Sequence, residues 1–206
     1  MAIKPILFNT EMVRAILDGI KSCTRRLVKI QPKDNEYTVV YTRKDVQIKT
    51  EKTTAKSPYQ VGDILYVRET WHKYIKRVGE GESCHLAEFY GYKASIANSE
   101  DADEPWKPSI HMPKEAARIW LKVTNVRVER LQEITVDGCH REGINIETSA
   151  VTDGETLNRK HDFSLEKFET IWDSTVKKSD IDRYGWDANP WVWVIEFEMC
   201  EKPEGV

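Results

Sequence analysis

The sequence lacks several features that would assign a protein class at once. It has no apolar run long enough to cross a bilayer, and its first residues do not form the apolar core of a secretion signal. It has no internal repeat and no Cys-x-x-Cys pair, so neither a zinc ribbon nor a redox pair of thiols is indicated. These absences favour a cytoplasmic protein that is not held in a membrane and that uses neither a metal nor an organic cofactor.

Cysteine is scarce and scattered. The four cysteines are Cys23, Cys84, Cys139 and Cys200. Two of them precede histidine, but adjacent side chains on a strand point to opposite faces and rarely bind one zinc ion together. Isolated thiols of this kind are typical of a reducing cytosol.

An excess of basic charge is also missing. The 206 residues carry a net charge of −3, whereas proteins that hold duplex nucleic acid by neutralising phosphates usually have a basic surface. Any nucleic-acid site must therefore be a local patch. Apolar residues make up 40% of the chain and charged residues 32%, a balance typical of a globular protein, and the length fits one domain over residues 1–206.

The hydrophobic pattern alternates between strands and short helices. Val13, Ile16, Leu17 and Ile20 have the spacing of one helical face, which Thr10 can begin and Gly19 can end. The other predicted elements are a polar hairpin at 37–50, strands at 64–71, 89–94, 119–131 and 191–197, short helices at 113–117 and 135–141, and a helix capped by Ser164. The aromatic stripe of the last strand is interpreted as core. Together these elements predict an α+β protein: a small closed β-barrel with flanking helices.

Charge is segregated along the chain. No acidic residue occurs from Gly19 to Lys33, where the basic residues are Lys21, Arg25, Arg26, Lys29 and Lys33. Such a segment can form an anion site on an acidic protein, although a solvated basic strand has the same pattern. Thr24 adds a hydroxyl, which becomes a nucleophile only beside a base or a cation. Lys21 lies three residues earlier, and a turn at Gly19 would let the two meet.

At this point the sequence resembles a known family. Residues 19–26 are similar to the "G-x-K-[ST]-x-T-x-R" segment of ASCH-domain proteins, which have the PUA-like superfold. Residues 62–69 resemble the family's "G-D-x-L-x-V-x-E" strand, and Glu142-Gly143 resembles its "E-G" position. The stretches 111–113 and 186–191 are similar to the larger ASCH proteins of phages and prophages.

The resemblance implies a barrel and a role toward RNA or nucleosides. Some small bacterial ASCH proteins are amidohydrolases that remove the acetyl group of N4-acetylcytidine with a Lys, a Thr and a Glu. Carried over by motif, the catalytic residues here are Lys21, Thr24 and Glu142. Thr24 would attack the amide, while the choice between Lys21 as base and Lys21 as a charged oxyanion donor stays open.

The resemblance also suggests residues that bind the nucleoside or RNA. Arg25 or Arg26 would contact a phosphate or a carbonyl group, while the other of the two faces solvent or an acidic partner. Arg68 and Glu69 would alternate on a barrel strand with Glu69 inward. Trp71 would stack on a base. An internal ion pair of Glu69 and simple packing of Trp71 are the structural alternatives.

The chain departs from the small enzymes in two respects. Ile20 replaces a residue that tends to be basic there, and the chain is about twice their length, with predicted insertions at about 37–50, 96–110 and 144–162. The hairpin at 37–50 is polar enough to be a projecting arm. Two other functions stay open: a non-catalytic RNA-binding module that reads a base or a loop, and a phage protein that binds a host protein through these insertions.

Overall fold

The computed structural model describes residues 1–32, 36–80, 83–95, 105–144 and 154–205, with the backbone alone for 154–162. Its strands are β1 (Ile3–Leu7), β2 (Cys23–Leu27), β3 (Thr38–Tyr41), β4 (Val46–Lys49), β5 (Thr54–Lys56), β6 (Ile64–Arg68), β7 (Trp71–Val78), β8 (His85–Tyr92), β9 (Trp120–Arg130) and β10 (Trp191–Cys200). Its helices are α1 (Thr10–Leu17), α2 (Val136–Arg141), α3 (Gly154–Thr175) and α4 (Ile181–Tyr184). The protein is α+β and built mainly of strands, which confirms the predicted class.

A five-stranded sheet in the order β1-β6-β9-β10-β2 forms the centre of the fold. β1 runs parallel to β6, and the other neighbouring pairs are antiparallel. Side chains alternate along β10, so Trp193, Ile195 and Phe197 enter the main core while Val192 and Val194 face the opposite side. The interpretation of the aromatic stripe as core is confirmed.

The edge strands of this sheet, β1 and β2, approach each other through side chains. Arg26 of β2 donates a hydrogen bond from Nη2 to the carbonyl oxygen of Leu7 in β1, at 2.9 Å. The rings of Phe8, directly after β1, and Phe197, in β10, have centroids 6.1 Å apart. In the described ranges no backbone ladder joins β1 to β2. The closed barrel therefore stays a prediction.

Helices α2 and α3 cover the other face of the sheet. Phe168 and Trp172 of α3 form a second cluster with Val192 and Val194 of β10. α3 begins at Gly154, so the prediction that Ser164 caps it is wrong, and Ser164 is buried within the helix. The predicted insertion at 144–162 is helical from 154 onward, and 145–153 lies outside the described residues.

The hairpin predicted at 37–50 is confirmed as β3 and β4, which pair antiparallel and are extended by β5. Its interpretation as a projecting arm is wrong. Val46 and Ile48, which share one face of β4, are 0% and 1% exposed and belong to the main core. Two apolar side chains at alternate positions are enough to bury one face of a strand that is polar overall.

The strand predicted at 64–71 is two strands. β6 ends at Arg68, and after Glu69 and Thr70 the chain begins β7, which pairs with β8 in a separate two-stranded ribbon. Within the described ranges, no helix is long and apolar enough to cross a membrane. Residues 96–104 of the predicted insertion at about 96–110 lie outside the described part of the chain.

Candidate active site

The turn after α1 places Lys21 inside the protein. The helix ends at Leu17, and Gly19 continues the chain at a φ of +72°, a conformation that glycine adopts without steric cost. The backbone N–H of Lys21 then donates to the carbonyl oxygen of Ala15 at 2.9 Å, which folds Lys21 back against the helix. Its side chain is 0% exposed.

Glu142 reaches Lys21 from the end of α2. Nζ of Lys21 donates to Oε2 of Glu142 and to the main-chain carbonyl oxygen of the same residue, both at 2.7 Å. Gly143 follows at a φ of +92°, and a Cβ there would lie 2.8 Å from Cβ of Ala15 and 3.3 Å from Cβ of Lys21. Glycine at this position therefore lets the end of α2 approach close enough for the ion pair to form.

Arg25 connects this pair to a second carboxylate. Its Nη1 donates to Oε1 of Glu142 at 3.2 Å, and its Nε and Nη2 donate to Oε1 of Glu129 at 3.0 and 2.6 Å. Burial lowers the pKa of Arg25, but the charges of Glu142 and Glu129 outweigh it, and the pKa is raised above its ordinary value. Arg25 is therefore a fixed cation whose hydrogen bond holds the Glu142 side chain in place.

The network continues toward the surface. Arg127 pairs with Glu129 at 3.1 Å and with Glu196, and Arg141 contacts Glu196 at 3.4 Å. The whole network contains the cations Lys21, Arg25, Arg127 and Arg141 and the carboxylates Glu129, Glu142 and Glu196. Four cations against three carboxylates leave one positive charge in excess, which favours an anionic or carbonyl oxygen nearby.

The two thiols near this network are not nucleophiles. Burial and the charge of Glu142 raise the pKa of Cys23 to about 12. Burial, opposed by Arg25, raises the pKa of Cys139 to about 11. Both sulfurs stay protonated near neutral pH, so covalent chemistry here would fall to an oxygen.

Thr24 lies on the opposite face of β2 from Arg25. It pairs with Ile195, whose side chain enters the main core, whereas Arg25 pairs with Val194 on the helix-covered face. Thr24 is 2% exposed, and within the described residues its hydroxyl makes no hydrogen bond. A hydroxyl without a hydrogen bond on a buried residue is available for a substrate or a water molecule.

The ring of Phe8 covers Lys21 on this side. Nζ of Lys21 lies 5.5 Å from the ring centroid, and the guanidinium carbon of Arg26 lies 5.4 Å from it. Phe8 is therefore enclosed by two cations, and Arg26 acts as a side-chain link between strands as well as a predicted phosphate contact. Nothing in the sequence pattern indicated a role for Phe8.

The remaining predicted binding residues lie apart from this network. Glu69 is 1% exposed and forms a two-pronged ion pair with Arg118, at 2.9 and 3.0 Å. Arg68 donates to the carbonyl oxygen of Met112 at 2.7 Å. Trp71 packs in a third cluster, under Lys107, whose Nζ lies 5.1 Å from its ring. The structural alternatives for Glu69 and Trp71, an internal ion pair and packing, describe what these side chains do here.

Sequence reasoning missed the two carboxylates that complete the network. Glu196 stands between Ile195 and Phe197 in an apolar strand, and Glu129 stands between Val128 and Arg130 in a strand of mixed polarity. A single acidic residue in a strand usually faces solvent. The excess of basic residues on β2 was therefore the one sequence feature that indicated buried carboxylate partners. Within the described residues, no group of three or more His, Cys, Asp or Glu side chains could hold a metal ion.

A surface cavity lies elsewhere on the protein. It has a volume of about 770 Å³ and is lined by residues 36–38 and 49–53, at one end of the β3–β4–β5 sheet. None of the candidate site residues lines it. Comparison of the chain with protein-family models, with curated proteins and with solved structures gives no match.

Proposed function

We propose that this chain is a nucleoside- or RNA-directed amidohydrolase of the ASCH type, which removes an acyl group from a modified cytidine such as N4-acetylcytidine. The observation that carries the proposal is the buried amine of Lys21, whose Nζ lies 2.7 Å from Oε2 of Glu142. Thr24 follows three positions later in the sequence, and its hydroxyl makes no hydrogen bond within the described residues. These are the residue types that activate a hydroxyl nucleophile.

The same proposal extends to the fold. A PUA-like barrel requires the two edges of the sheet to meet, and the hydrogen bond from Arg26 of β2 to Leu7 of β1 supports that arrangement. The place of β1 at the end of the sheet order also fits, because in the described ranges β6 is its one ladder partner and its other edge can face β2.

The proposed reaction has two halves. In the first, a proton passes from Lys21 to Glu142, and neutral Lys21 takes the proton of the Thr24 hydroxyl as its oxygen bonds to the acyl carbon. The C–N bond then breaks, Lys21 returns the proton to N4 of the cytosine, and the acyl group is left as an ester on Thr24. In the second half Lys21 takes a proton from water as the water oxygen bonds to the acyl carbon, and it gives this proton to Oγ of Thr24 as the ester bond breaks and the carboxylic acid leaves. The proton on Glu142 then returns to Lys21.

The rest of the network has a positioning role in this proposal. Arg25 and Glu129 hold the Glu142 carboxylate in one orientation through hydrogen bonds of 2.6 to 3.2 Å. The excess positive charge stabilises the oxyanion that forms on the acyl oxygen during attack. Because Lys21 and Thr24 are buried, substrate binding requires a cover to open, and we assign that cover to the ring of Phe8.

Hydrolysis of N4-acetylcytidine, followed by chromatography, tests the proposal. We expect the parent protein to release cytidine, Lys21→Met and Thr24→Val to release none, and Thr24→Ser to keep part of the activity because it keeps the hydroxyl. Lys29→Met is the matched control, since Lys29 lies exposed just after β2. An inactive parent, or active and folded Lys21→Met and Thr24→Val variants, would contradict the assignment.

A second candidate is an RNA-binding module without catalysis. It is favoured by the burial of the catalytic candidates, since Lys21 and Thr24 are 3% and 2% exposed. In that case the network is structural and the basic segment holds phosphates. RNA affinity would then fall steeply with salt, whereas hydrolysis of a free nucleoside would change little.

A further inference from the structure

The ribbon of β7 and β8 has two different faces. Its strands pair over eight residues each, in register from Trp71 opposite Tyr92 to Val78 opposite His85. Because side chains alternate, His72, Tyr74 and Lys76 share one face with the opposing Phe89 and Ala87. The outer half of β7, from Ile75 onward, is exposed along its whole length.

Aromatic rings form a continuous row on this face. Tyr74 stacks on His72 with centroids 5.4 Å apart and planes at 28°, and on Phe89 with centroids 5.7 Å apart and planes at 26°. The ring of Trp106 is tilted against His72, with centroids 4.6 Å apart and planes at 50°. The row runs from a buried end at His72, which is 7% exposed, to an open end at Phe89, which is 37% exposed.

Next to Phe89 this face carries one small side chain and one basic side chain. Ala87, two residues before Phe89 on the same face, has only a methyl group, and Lys76 stands opposite it. Across the two strands the charged residues are Lys73, Lys76 and Arg77 against Glu88, which pairs with Lys73 at 2.6 Å. Within the described residues Lys76 and Arg77 form no ion pair, so the strands of the ribbon carry uncompensated positive charge on an acidic protein.

The buried end of the row holds an unsatisfied polar atom. Nδ1 of His72 is buried and has no hydrogen-bond partner within the described ranges. The imidazole lies directly over Gly91, where a Cβ would come within 1.8 Å of Nε2. Glycine thus lets the ring lie flat on the ribbon, which orients the row.

We infer that this face of the ribbon binds single-stranded RNA, with one base stacked on Phe89 over Ala87 and the adjacent phosphate contacted by Lys76. Stacking on exposed aromatic rings beside cations is how proteins hold single strands without reading sequence. The inference rests on the proposed function only in the choice of RNA as the polymer. With RNA bound on the ribbon, the proposed hydrolase would act on a nucleotide within a strand rather than on a free nucleoside.

A second copy of the chain is a weaker occupant of this face. Of the large exposed apolar side chains in the ribbon's outer half, Ile75 and Leu86 are on the opposite face, beside the charged Glu88 and Arg77, and the smaller Val78 is on the proposed face. On the proposed face Lys76 lies near the exposed ring of Phe89. A symmetric dimer through this face would bring Lys76 of one copy near Lys76 of the other. Like charges brought together in that way oppose self-association.

Fluorescence anisotropy with a labelled twelve-nucleotide oligouridylate tests the inference on the full chain. We expect Phe89→Ala to weaken binding by about tenfold or more, the loss of one stacked base. Lys76→Gln should reduce the salt dependence by about one phosphate contact. Leu86→Ala is the matched control, an exposed apolar side chain on the other face of the same ribbon. An abasic oligomer of equal length should bind more weakly and should not distinguish Phe89→Ala from the parent.

Three results would overturn the inference: no binding of the oligomer by the parent, equal binding by parent and Phe89→Ala, or equal losses in Phe89→Ala and Leu86→Ala. A dimer in gel filtration that Phe89→Ala disrupts and that RNA does not would assign the face to a second copy. Because the oligomer is unmodified, failure to hydrolyse N4-acetylcytidine leaves this test unaffected, and loss of RNA binding leaves nucleoside hydrolysis unaffected.

Discussion

Lys21 and Glu142 are separated by 121 positions in the sequence, yet Nζ of one lies 2.7 Å from Oε2 of the other. Water cannot replace either partner, because the side chains of Lys21 and Glu142 are 0% and 6% exposed. The pair links the turn after α1 to the end of α2, two elements that also meet through the backbone hydrogen bond from Ser22 to Arg141 and the side-chain hydrogen bond from Arg141 to Ser22. Its removal has consequences for both stability and chemistry.

Replacement of Glu142 by Gln should destabilise the protein strongly. The substitution leaves the cations Lys21 and Arg25 buried beside a neutral amide, and breaking a buried pair from one side costs about 3 to 5 kcal/mol. Urea unfolding measures the change. Glu198→Gln is the control, because Glu198 is 60% exposed and 3.8 Å from its partner Lys122, so its loss should cost about 0.5 kcal/mol or less. Equal midpoints for the two variants would contradict the buried network.

Alanine should be tolerated at Gly19 and not at Gly143. Both residues have positive φ, but Gly19 has open space where a Cβ would go, so Gly19→Ala should cost only the strain, about 1 kcal/mol. Gly143→Ala adds a contact of 2.8 Å with Cβ of Ala15, and a total loss of about 3 kcal/mol is expected. Thermal unfolding of the two variants gives the comparison; a Gly143→Ala protein as stable as Gly19→Ala would show that the end of α2 can move away.

Stability should fall in acid partly through Glu196. Burial raises the pKa of this carboxyl, but hydrogen bonds from Arg141 and Arg127 outweigh burial and hold the pKa below its ordinary value. A carboxyl whose pKa is lower in the folded protein stabilises it above the unfolded value, near 4.5, and this contribution disappears as the pH falls through the folded pKa. Urea midpoints measured from pH 7 to pH 3 should therefore fall less steeply below pH 4.5 in Glu196→Gln than in the parent. The exposed Glu198→Gln should follow the parent, and identical curves for all three would refute the role of Glu196.

The four thiols should react in two groups. Cys84 is exposed, whereas Cys23 and Cys139 are 2% and 0% exposed with raised pKa values. A disulfide reagent at pH 8 should label Cys84 within minutes and reach Cys23 and Cys139 only when the protein unfolds. Cys84→Ser should remove the fast phase. A fast phase that persists in this variant, beyond what the half-buried Cys200 supplies, would mean that the network is open to solvent.

Sequence periodicity predicted those elements whose two faces differ in polarity. β10, β9 and α1 were found because apolar residues recur at the spacing of a strand or a helix. The first turns of α3 were missed because residues 154–162 are almost entirely polar, and a helix without an apolar stripe resembles a loop in sequence. The break between β6 and β7 was missed because Glu69-Thr70 contains no glycine or proline to mark it.

The site was only partly predictable. Lys21, Thr24 and Glu142 came from the resemblance, since their spacing alone is common in proteins. Glu129 pairs with Arg25 of β2, and Glu196 with Arg127 of β9, only through the sheet order, in which β10 lies between β2 and β9 and Val194 stands opposite both arginines. Such a register joins residues about a hundred positions apart, and no local pattern encodes it.

The place of β10 in the sheet also sets the order in which the chain can fold. This strand is the last one in the sequence, yet its neighbours β2 and β9 each pair with it over most of their length. During synthesis β2 therefore waits for more than 160 residues before its ladder partner exists. Contacts so distant in sequence slow folding. Until β10 is available, no strand lies between β2 and β9 to bring Arg25 to Glu129, so this part of the site cannot assemble.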